Sequence, residues 1–355
     1  MKHFRCLWLL LLVSPLASGE ETLRGAYADV FQMGVAVNRN TVMGRTPGDA
    51  AVVVREYGLV VAENDMKWQV IHPREGAGGF DFGPADAVVA FARKNGLAVA
   101  GHTLVWHGQT PDWVFENATR EVLLARMREH IHTVVGHYKG QIQVWDVVNE
   151  AISDKPGETL RSTRWLEIIG PDFIEKAFEY AHEADPDAVL RYNDYGLENP
   201  GKRAKVLALV KGLREKKVPI MAIGSQTHVG ATRPTVAEMD LALTELGSLG
   251  LPVHITELDV NGAEAGQQTL GADISNNAAA TEGGLIEAAD ARQAEQYGNL
   301  FRLFVKHKES VKMVTFWGVN DGVSWRAKGR PLLFDAENGK KAAYQAVMGV
   351  RPGKK

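Results

Sequence analysis

Short apolar runs alternate along the chain with longer stretches in which apolar residues recur at helical spacing. Apolar positions three, four and seven residues apart, as in residues 124–135 and 297–305, predict amphipathic helices. Eight runs rich in β-branched residues are candidate strands: residues 33–37, 59–62, 97–102, 143–148, 189–192, 221–226, 253–258 and 313–317. Strand and helix therefore alternate from one end of the chain to the other.

Eight strand–helix units without a Pro-rich or Ser-rich linker between them predict a single (β/α)8 TIM barrel. The length of 355 residues would by itself also accommodate two domains. A doubly wound open sheet is the alternative fold, but its first strand usually leads into a Gly-rich phosphate-binding turn, and residues 34–38 do not form one. We therefore expect one α/β domain over residues 20–355.

The beginning of the chain has the pattern of a targeting segment. Lys2 and Arg5 precede an apolar run over residues 7–13, and residues 17–19 form a small-x-small cleavage site. This pattern predicts a secretory signal peptide over residues 1–19 and a secreted protein, extracellular or periplasmic. The run is far shorter than the roughly 20 residues that span a bilayer, so we expect no membrane anchor.

Charge and cysteine content exclude several classes of function. The chain has 40 Lys and Arg against 43 Asp and Glu, a formal net charge of −3, and no block of like charges. We therefore expect neither nucleic acid nor a membrane surface as a partner. The one cysteine, Cys6, lies in the predicted signal peptide, which excludes disulfides, zinc–thiolate sites and a cysteine nucleophile from the mature chain.

Polar residues cluster where the predicted strands end, which is the face of a barrel that carries active sites. They are Asn38, Glu63, Asn64, His102, Asn149, Glu150, Asn193, Asp194, Gln226, His228, Glu257, Asp259 and Trp317. Any one of them has an ordinary explanation, because strands run into polar loops. Since nearly every strand contributes, the pattern predicts a site at this face.

Two glutamates end apolar strands, Glu150 on the fourth and Glu257 on the seventh. These strands lie across a barrel from each other, so both carboxyl groups can enter one cleft, as the acid and the nucleophile of glycosidic bond cleavage must. The alternative is that each is only a buried ion-pair partner. Asn149 can hold the sugar hydroxyl next to the reacting carbon, and His228 with Asp259 can keep Glu257 ionised.

Tryptophans favour a sugar-binding cleft, because an indole face stacks on a pyranose ring. Five of the eight follow predicted strand ends: Trp68, Trp106, Trp113, Trp317 and Trp325. One or two of these are expected to be core residues at the rim of the barrel. Trp145, inside the fourth strand, is predicted to be buried.

Seven motifs follow one another along the chain: ENDMKW at 63–68, GHTLVWH at 101–107, WDVVNE at 145–150, NDY at 193–195, GSQTH at 224–228, ITELD at 255–259 and TFWG at 315–318. Together they resemble glycoside hydrolase family 10, the endo-β-1,4-xylanases, over essentially the whole predicted mature chain. The resemblance implies a retaining xylanase that cleaves xylan through a covalent glycosyl-enzyme intermediate. It implies an enzyme that binds xylan and xylo-oligosaccharides and needs no cofactor. We further expect no metal site and a monomer, although the sequence itself does not determine the oligomeric state.

The same resemblance implies a role for each matching residue. Glu150 would be the acid/base and Glu257 the nucleophile, with Asp259 in a supporting position, and retention would place the two carboxyl groups about 5–5.5 Å apart. The predicted substrate-binding residues fall into four groups: Glu63, Asn64 and Lys67 for glycone-side xylose residues, His102, Trp106 and Asn149 around the sugar under attack, Gln226 and His228 against the catalytic carboxylates, and Trp317 and Trp325 as walls of the glycone subsites.

The chain departs from the family pattern in places. Gly108 stands where the family usually has Ser, and residues 339–342 replace a common Pro-Lys-Pro. Residues 262–287, rich in Ala, Gly and Asn, are too long for a plain βα loop, so a lid, a substrate contact and a simple insertion all stay open.

Three other hypotheses bear on the function. A broader β-1,4-glycanase would share the barrel and both glutamates, and would need room for a C6 hydroxymethyl group. A non-catalytic xylan-binding protein would usually lack a carboxylate. His130 and His132 form an H-x-H pair, but in a helical stretch the side chains at i and i+2 diverge, so we predict no metal site there.

Overall fold

Eight parallel strands close into a barrel at the centre of the protein. The computed structural model describes residues 21–262 and 283–352. The described residues form nine strands, of which the short β7 is additional to the eight of the barrel: β1 Gln32–Val37, β2 Leu59–Ala62, β3 Ala98–Val105, β4 Val144–Asn149, β5 Val189–Asp194, β6 Ala222–Ser225, β7 His228–Gly230, β8 Val253–Asn261 and β9 Val311–Phe316. Neighbours pair in sequence from β1 to β6, then β6 pairs with β8, β8 with β9, and β9 with β1. The predicted (β/α)8 barrel is confirmed.

Helices surround the barrel and connect its strands. The α-helices are α1 Leu23–Ala26, α2 Arg39–Val42, α3 Pro47–Glu56, α4 Trp68–Ile71, α5 Gly83–Lys94, α6 Arg120–His137, α7 Arg164–Ile169, α8 Phe173–Ala184, α9 Pro200–Glu215, α10 Val236–Gly247, α11 Gly283–Lys306 and α12 Ala342–Val350. Short 3-10 turns occupy Ala77–Gly79, Asp112–Val114, Asp321–Val323 and Ala327–Gly329. Among the helices of the two described ranges, none is both long enough and apolar enough to cross a membrane.

The predicted strand over residues 221–226 differs most from the structure, because the structure has two short strands in this region. It ends at Ser225 as β6, and Thr227 then adopts a φ of +59°, which interrupts the extended chain. A short further strand, β7, follows and pairs with the end of β8, with His228 opposite Asp259. This extra pairing brings two of the predicted site residues side by side at the rim.

The core has an outer layer between strands and helices and a smaller group inside the barrel. Trp145 is fully buried in the outer layer, as predicted. Its ring lies over Gly101 on the neighbouring strand, where an added Cβ would come within 2.1 Å of the indole. Glycine at this position therefore lets a large side chain lie flat against the backbone of β3.

Two predicted segments fall wholly or partly outside the described residues. The signal peptide over residues 1–19 is one of them, and residues 263–282 of the long 262–287 segment are the other. The final part of that segment belongs to α11, which already begins at Gly283.

Candidate active site

The carboxyl ends of the strands meet at one mouth of the barrel, and the predicted site residues lie on the segments that form it. The positions are Glu63, Asn64 and Lys67 after β2, His102 in β3 and Trp106 after it, Asn149 and Glu150 at the end of β4, Gln226 and His228 after β6 and in β7, Glu257 and Asp259 in β8, and Trp317 and Trp325 after β9. Ring contacts, hydrogen bonds and charge interactions connect them into one site.

Glu150 lies at the turn after β4, and its carboxylate accepts hydrogen bonds from neutral donors. Trp106 Nε1 donates to Oε2 and Gln226 Nε2 donates to Oε1, each at 2.9 Å. The backbone φ of +56° lies in the left-handed region, which few non-glycine residues occupy. The Glu150 amide donates to the Asn193 carbonyl at 2.9 Å and its carbonyl accepts from Arg161 Nε at 3.0 Å. Surrounding contacts thus hold a strained backbone at a functional position.

Glu257 belongs to a row of charged groups along the end of β8. His228 lies between two carboxylates, with Nε2 3.1 Å from Glu257 Oε2 and Nδ1 2.8 Å from Asp259 Oδ2. Burial alone would lower the pKa of His228, but the Asp259 charge and the hydrogen bonds to both carboxylates outweigh burial and raise the pKa to about 9. The imidazole is therefore a cation at neutral pH and donates to both carboxylates.

Two residues that follow β9 also donate hydrogen bonds to Asp259. Trp325 Nε1 donates to Oδ2 at 2.8 Å, and Arg326 Nη1 donates to Oδ1 at 3.0 Å. Burial would raise the pKa of Asp259, but the positive charges of His228 and Arg326 hold that pKa below its usual range. Arg326 was not predicted from the sequence, because an arginine in a loop gives no sign of which carboxylate it contacts.

Three buried amide side chains connect the two glutamates. Gln226 Nε2, which donates to Glu150, also lies 3.3 Å from Asn149 Oδ1. Asn193 Nδ2 donates to the same Asn149 oxygen at 2.9 Å and to Glu257 Oε1 at 2.8 Å. Both carboxyl groups are thus fixed in one hydrogen-bonded frame. Asn193 was predicted as a strand-end residue within a motif, without a role in the site.

A lysine supplies positive charge to the mouth of the site. Lys67 Nζ donates to Asn64 Oδ1 at 3.0 Å and to Gln109 Oε1 at 2.7 Å, and it lies 5.1 Å from the centre of the Trp106 ring. Gln109 was missed by the sequence analysis, since it lies in a loop outside the motifs.

Lys67 and the nearby acids influence one another. Burial lowers the pKa of Lys67, and the negative charges of Glu257, Glu63 and Glu150 act in the opposite direction. Burial also raises the pKa of Glu63, against the charge of Lys67. Such partly desolvated polar groups are well suited to hydrogen bonding with neutral hydroxyls.

Three tryptophans border the carboxylates. Trp106 contacts Glu150 through its indole N–H, and the ring of Trp325 lies 4.8 Å from that of His228. The ring of Trp317 meets His102 edge-on at 5.2 Å. The structure thus places Trp106, predicted beside the sugar under attack, and the two predicted wall residues, Trp317 and Trp325, around this site.

Trp68 and Trp113 do not border the carboxylates. Trp68 is buried and stacks on His130 of α6 at 3.6 Å between ring centres. Trp113 packs edge-on against Trp68 and donates its N–H to the Pro73 carbonyl at 3.1 Å. Trp68 and Trp113 are therefore the core residues that were expected among the five tryptophans.

A buried charged cluster supports His102 from inside the barrel. Asp146 lies 3.0 Å from His102 Nδ1 and accepts from Arg191 Nε at 2.7 Å. Burial would raise the pKa of Asp146, but Arg191 and the hydrogen bonds from both partners lower it to about 2. Burial and the charge of Arg191 lower the pKa of His254 to about 3, so His254 is neutral and accepts from Arg191 Nη1 at 3.1 Å. Because Arg191 fixes Asp146, the contact of Asp146 with Nδ1 holds the imidazole of His102 in place.

The two histidines of the H-x-H pair have different partners. His130 Nδ1 lies 3.3 Å from His72 Nδ1, and His132 Nε2 lies 3.0 Å from Glu183 Oε2. Within residues 21–262 and 283–352, no group of three His, Cys, Asp or Glu side chains is arranged to hold a metal ion.

Comparisons with known proteins point to one family. The family model for glycosyl hydrolase family 10 matches residues 22–350. The chain is 41% identical to a β-1,4-xylanase of Dictyoglomus thermophilum, over 98% of this chain and 99% of the relative. It is also 41% identical to an endo-1,4-β-xylanase of Geobacillus stearothermophilus, over 94% and 100%. An intracellular xylanase of Thermoanaerobacterium saccharolyticum, solved as a mutant with xylotriose, aligns with a TM-score of 0.82 at 40% identity, over 93% and 99%.

Proposed function

We propose, because the chain belongs to glycosyl hydrolase family 10, that it is a secreted enzyme that cleaves internal β-1,4-xylosidic bonds of xylan with retention of anomeric configuration. The chain matches xylanases over almost the whole length of both proteins, which supports the activity of an endo-1,4-β-xylanase. The proposed export is supported by the pattern of residues 1–19 alone.

One observation carries the proposed mechanism: the two glutamates have unlike surroundings. Glu257 accepts a hydrogen bond from the cationic His228, whereas the hydrogen bonds that Glu150 accepts from the described residues come from the neutral groups of Trp106 and Gln226. An imidazolium partner suits a carboxylate that attacks as an anion, and neutral partners suit a group that must carry a proton. We therefore assign the nucleophile to Glu257 and the acid/base to Glu150.

The reaction then has two displacements at the same carbon. Glu257 attacks the anomeric carbon while Glu150 gives its proton to the departing glycosidic oxygen, so the C–O bond breaks and a glycosyl ester forms on Glu257. The ionised Glu150 next takes a proton from water, which attacks the anomeric carbon and releases Glu257. Two inversions leave the configuration unchanged.

The amide frame positions the sugar during both steps. Asn149 Oδ1 already accepts from Asn193 and Gln226, which orients the side chain and leaves its Nδ2 group for the hydroxyl next to the anomeric carbon. Glu63, Asn64 and Lys67 bind the glycone sugars, and Trp317 and Trp325 stack against them.

Azide chemistry tests the two assignments, with an aryl xylobioside that carries a good leaving group. In Glu150→Ala, azide attacks the glycosyl-enzyme from the face that water uses, so we expect the β-glycosyl azide. In Glu257→Ala, azide attacks the substrate directly in one inversion, so we expect the α-glycosyl azide. Proton NMR distinguishes the two anomers.

The exposed Glu129→Ala on α6 is the matched control and should form no azide product while keeping wild-type activity. The same anomer from both active-site variants, or the reverse assignment, would overturn the proposed roles.

Product release from different polymers tests the substrate. We expect short xylo-oligosaccharides from xylan and little release from carboxymethyl-cellulose. Comparable release from both would instead favour a broader β-1,4-glycanase. No release from any polymer by the folded wild-type protein would leave the xylan-binding protein as the better interpretation.

A further inference from the structure

The loop that follows Glu150 leaves the barrel and then returns to it. An isolated antiparallel bridge joins Ile152 to Leu160, so the chain doubles back on itself over residues 151–161, which we call the return loop. The return loop ends at Arg161, eleven residues after Glu150 in the sequence. It thereby brings an arginine against the backbone of the acid/base.

The guanidinium of Arg161 contacts three groups at once. Its Nε donates to the Glu150 carbonyl at 3.0 Å. Its Nη2 donates to Asp154 Oδ2 at 2.9 Å and to the Tyr195 hydroxyl at 2.6 Å. A planar fork of donors can make these contacts together, which a single ammonium group does not do.

The far end of this guanidinium is itself fixed. Asp154 Oδ1 accepts from Lys202 Nζ at 2.8 Å, and Asp154 Oδ2 accepts from the Tyr195 hydroxyl. Lys202 is buried and also pairs with Asp194 at 2.9 Å. Burial would raise the pKa of Asp154, but hydrogen bonds from Lys202 and Tyr195 hold that pKa below its usual range. Asp154 is therefore an anion at neutral pH and a fixed partner for Arg161.

The backbone of Glu150 needs contacts of this kind. Its φ of +56° is unfavourable for a residue that has a Cβ atom. The Asn193 carbonyl fixes the amide side of Glu150 at 2.9 Å, and Arg161 fixes the carbonyl side. Relaxation of φ would swing the Cα–Cβ bond and take the carboxyl group away from Trp106 and Gln226. The group that holds the carbonyl thus also sets where the proton is delivered.

We propose that Arg161 is a positioning residue for the acid/base: it holds the Glu150 backbone in the left-handed conformation and so keeps the carboxyl group where it transfers protons. The proposal rests on the retaining mechanism proposed above. Arg161 acts through Glu150 and not on the sugar, so its effect on the rate should appear only in steps in which Glu150 gives or takes a proton.

Aryl xylobiosides with different leaving groups test this role. A phenol needs the proton of Glu150 as it departs, whereas 2,4-dinitrophenol leaves without it. Arg161→Met keeps an unbranched side chain and removes every donor. We expect its kcat/KM to fall about 10-fold to 100-fold for phenyl β-xylobioside and less than about threefold for the dinitrophenyl glycoside. Equal losses on both, or no loss on either, would overturn the proposal.

A double-mutant cycle asks whether the effect passes through the Glu150 carboxyl group. With the dinitrophenyl glycoside the first step is fast, so kcat reports the hydrolysis of the glycosyl-enzyme, in which Glu150 is the base. Arg161→Met should lower this kcat about 10-fold in the otherwise wild-type enzyme and should leave it unchanged in Glu150→Ala. A further loss in the double variant would contradict the positioning role.

Arg126→Met is the matched control. Arg126 lies on α6, donates to the Val114 and Glu116 carbonyls at 3.1 and 2.9 Å, and pairs with Glu75 at 2.6 Å. It therefore has the same kinds of partner as Arg161 but does not contact Glu150. The ratio of kcat/KM between the two glycosides should stay at the wild-type value in Arg126→Met.

Asp154→Asn decides the test if Arg161→Met does not fold. This change removes the charge that fixes the guanidinium and leaves Arg161 in place. We expect a smaller loss than in Arg161→Met, again confined to the phenyl glycoside. An equal loss on both glycosides would overturn the proposal and leave the activity intact, whereas hydrolysis of neither glycoside by the folded wild-type protein would overturn the xylanase function itself.

Discussion

At the residue scale, His228 is the side chain that gives the two glutamates different electrostatic surroundings. Its cation lies between Glu257 and Asp259, and Arg326 contacts the far side of Asp259. Two negative and two positive groups are therefore buried together without net charge, which limits the free energy of desolvation. The imidazolium stabilises the Glu257 carboxylate before it attacks the sugar.

On an aryl xylobioside whose phenol leaves without a proton from Glu150, the alkaline limb of activity should report the titration of His228. Its pKa is raised from 6.5 to about 9, so the stabilisation is complete below pH 6.5 and is lost as the pH rises through about 9. We expect kcat/KM to fall around that pH in the wild type. His228→Gln cannot titrate, and should lower kcat/KM about 10-fold to 100-fold and abolish that limb.

The check is a pH profile of kcat/KM on an aryl xylobioside from pH 5 to 10. His132→Gln, which lies on α6 beside Glu183, is the control and should keep the wild-type profile. An alkaline limb that persists in His228→Gln would assign it to another group, such as Lys67.

The sequence predicted which residues form the site, but it did not predict the hydrogen bonds between their side chains. Each predicted residue lies in a strand or in the loop that follows one, and strand order alone brings these segments together at one mouth of the barrel. Asn193 and Arg326 were not given roles, because a hydrogen bond across strands depends on side-chain direction at two positions far apart in the chain. A single sequence does not show in which direction those side chains point.

At the scale of elements, the contact between α4 and α6 supports the glycone side of the site. α4 begins directly after Lys67, and its Trp68 stacks on His130 of α6. His72, just after α4, faces His130 with Nδ1 atoms 3.3 Å apart, and the Nε2 atoms of both are buried without a partner among the described residues. Burial lowers the pKa of His72 to about 4 and that of His130 well below its usual value.

This contact should make the protein sensitive to acid. The unfolded chain binds a proton on His72 below pH 6.5, whereas the folded chain does so only below about pH 4. Stability should therefore fall as the pH decreases from 6.5 to 4. His72→Gln keeps a hydrogen-bonding group and does not titrate, so its Tm should fall about 2–4 °C less over that range.

Calorimetry at several pH values from 7 to 4 measures the difference. His132→Gln serves as control here as well, because His132 is partly exposed and paired with Glu183. A parallel fall of Tm in His72→Gln and the wild type would show that the buried pair does not contribute to acid sensitivity.

Errors in the predicted elements have physical reasons. The run over residues 221–226 continues smoothly into His228 in the sequence, and only the positive φ of Thr227 divides it into two strands. Trp68 and Trp113 follow strand ends as cleft residues do, but helical packing turns them towards α6 and the core. Position along the chain does not tell which side of a loop faces the substrate.

At the scale of the whole molecule, barrel closure converts eight separate strand ends into one site. The count and order of strands were predictable because each carries its own apolar run. The polar interior was not predictable, since Asp146 and Arg191 interrupt apolar strands and are tolerated because they pair with each other and with neighbouring histidines. The fold therefore follows from local patterns, and the support beneath the site depends on long-range pairing.

The central claim is that Glu257 forms a covalent bond to the sugar, and trapping that intermediate tests it most directly. A 2-deoxy-2-fluoro-xylobioside with a good leaving group slows both steps, so the glycosyl-enzyme accumulates and mass spectrometry detects it. We predict that the intact protein gains the mass of one fluorinated xylobiosyl group and that the labelled peptide contains Glu257. A label on any other residue, or inactivation-free turnover with no adduct, would contradict the account.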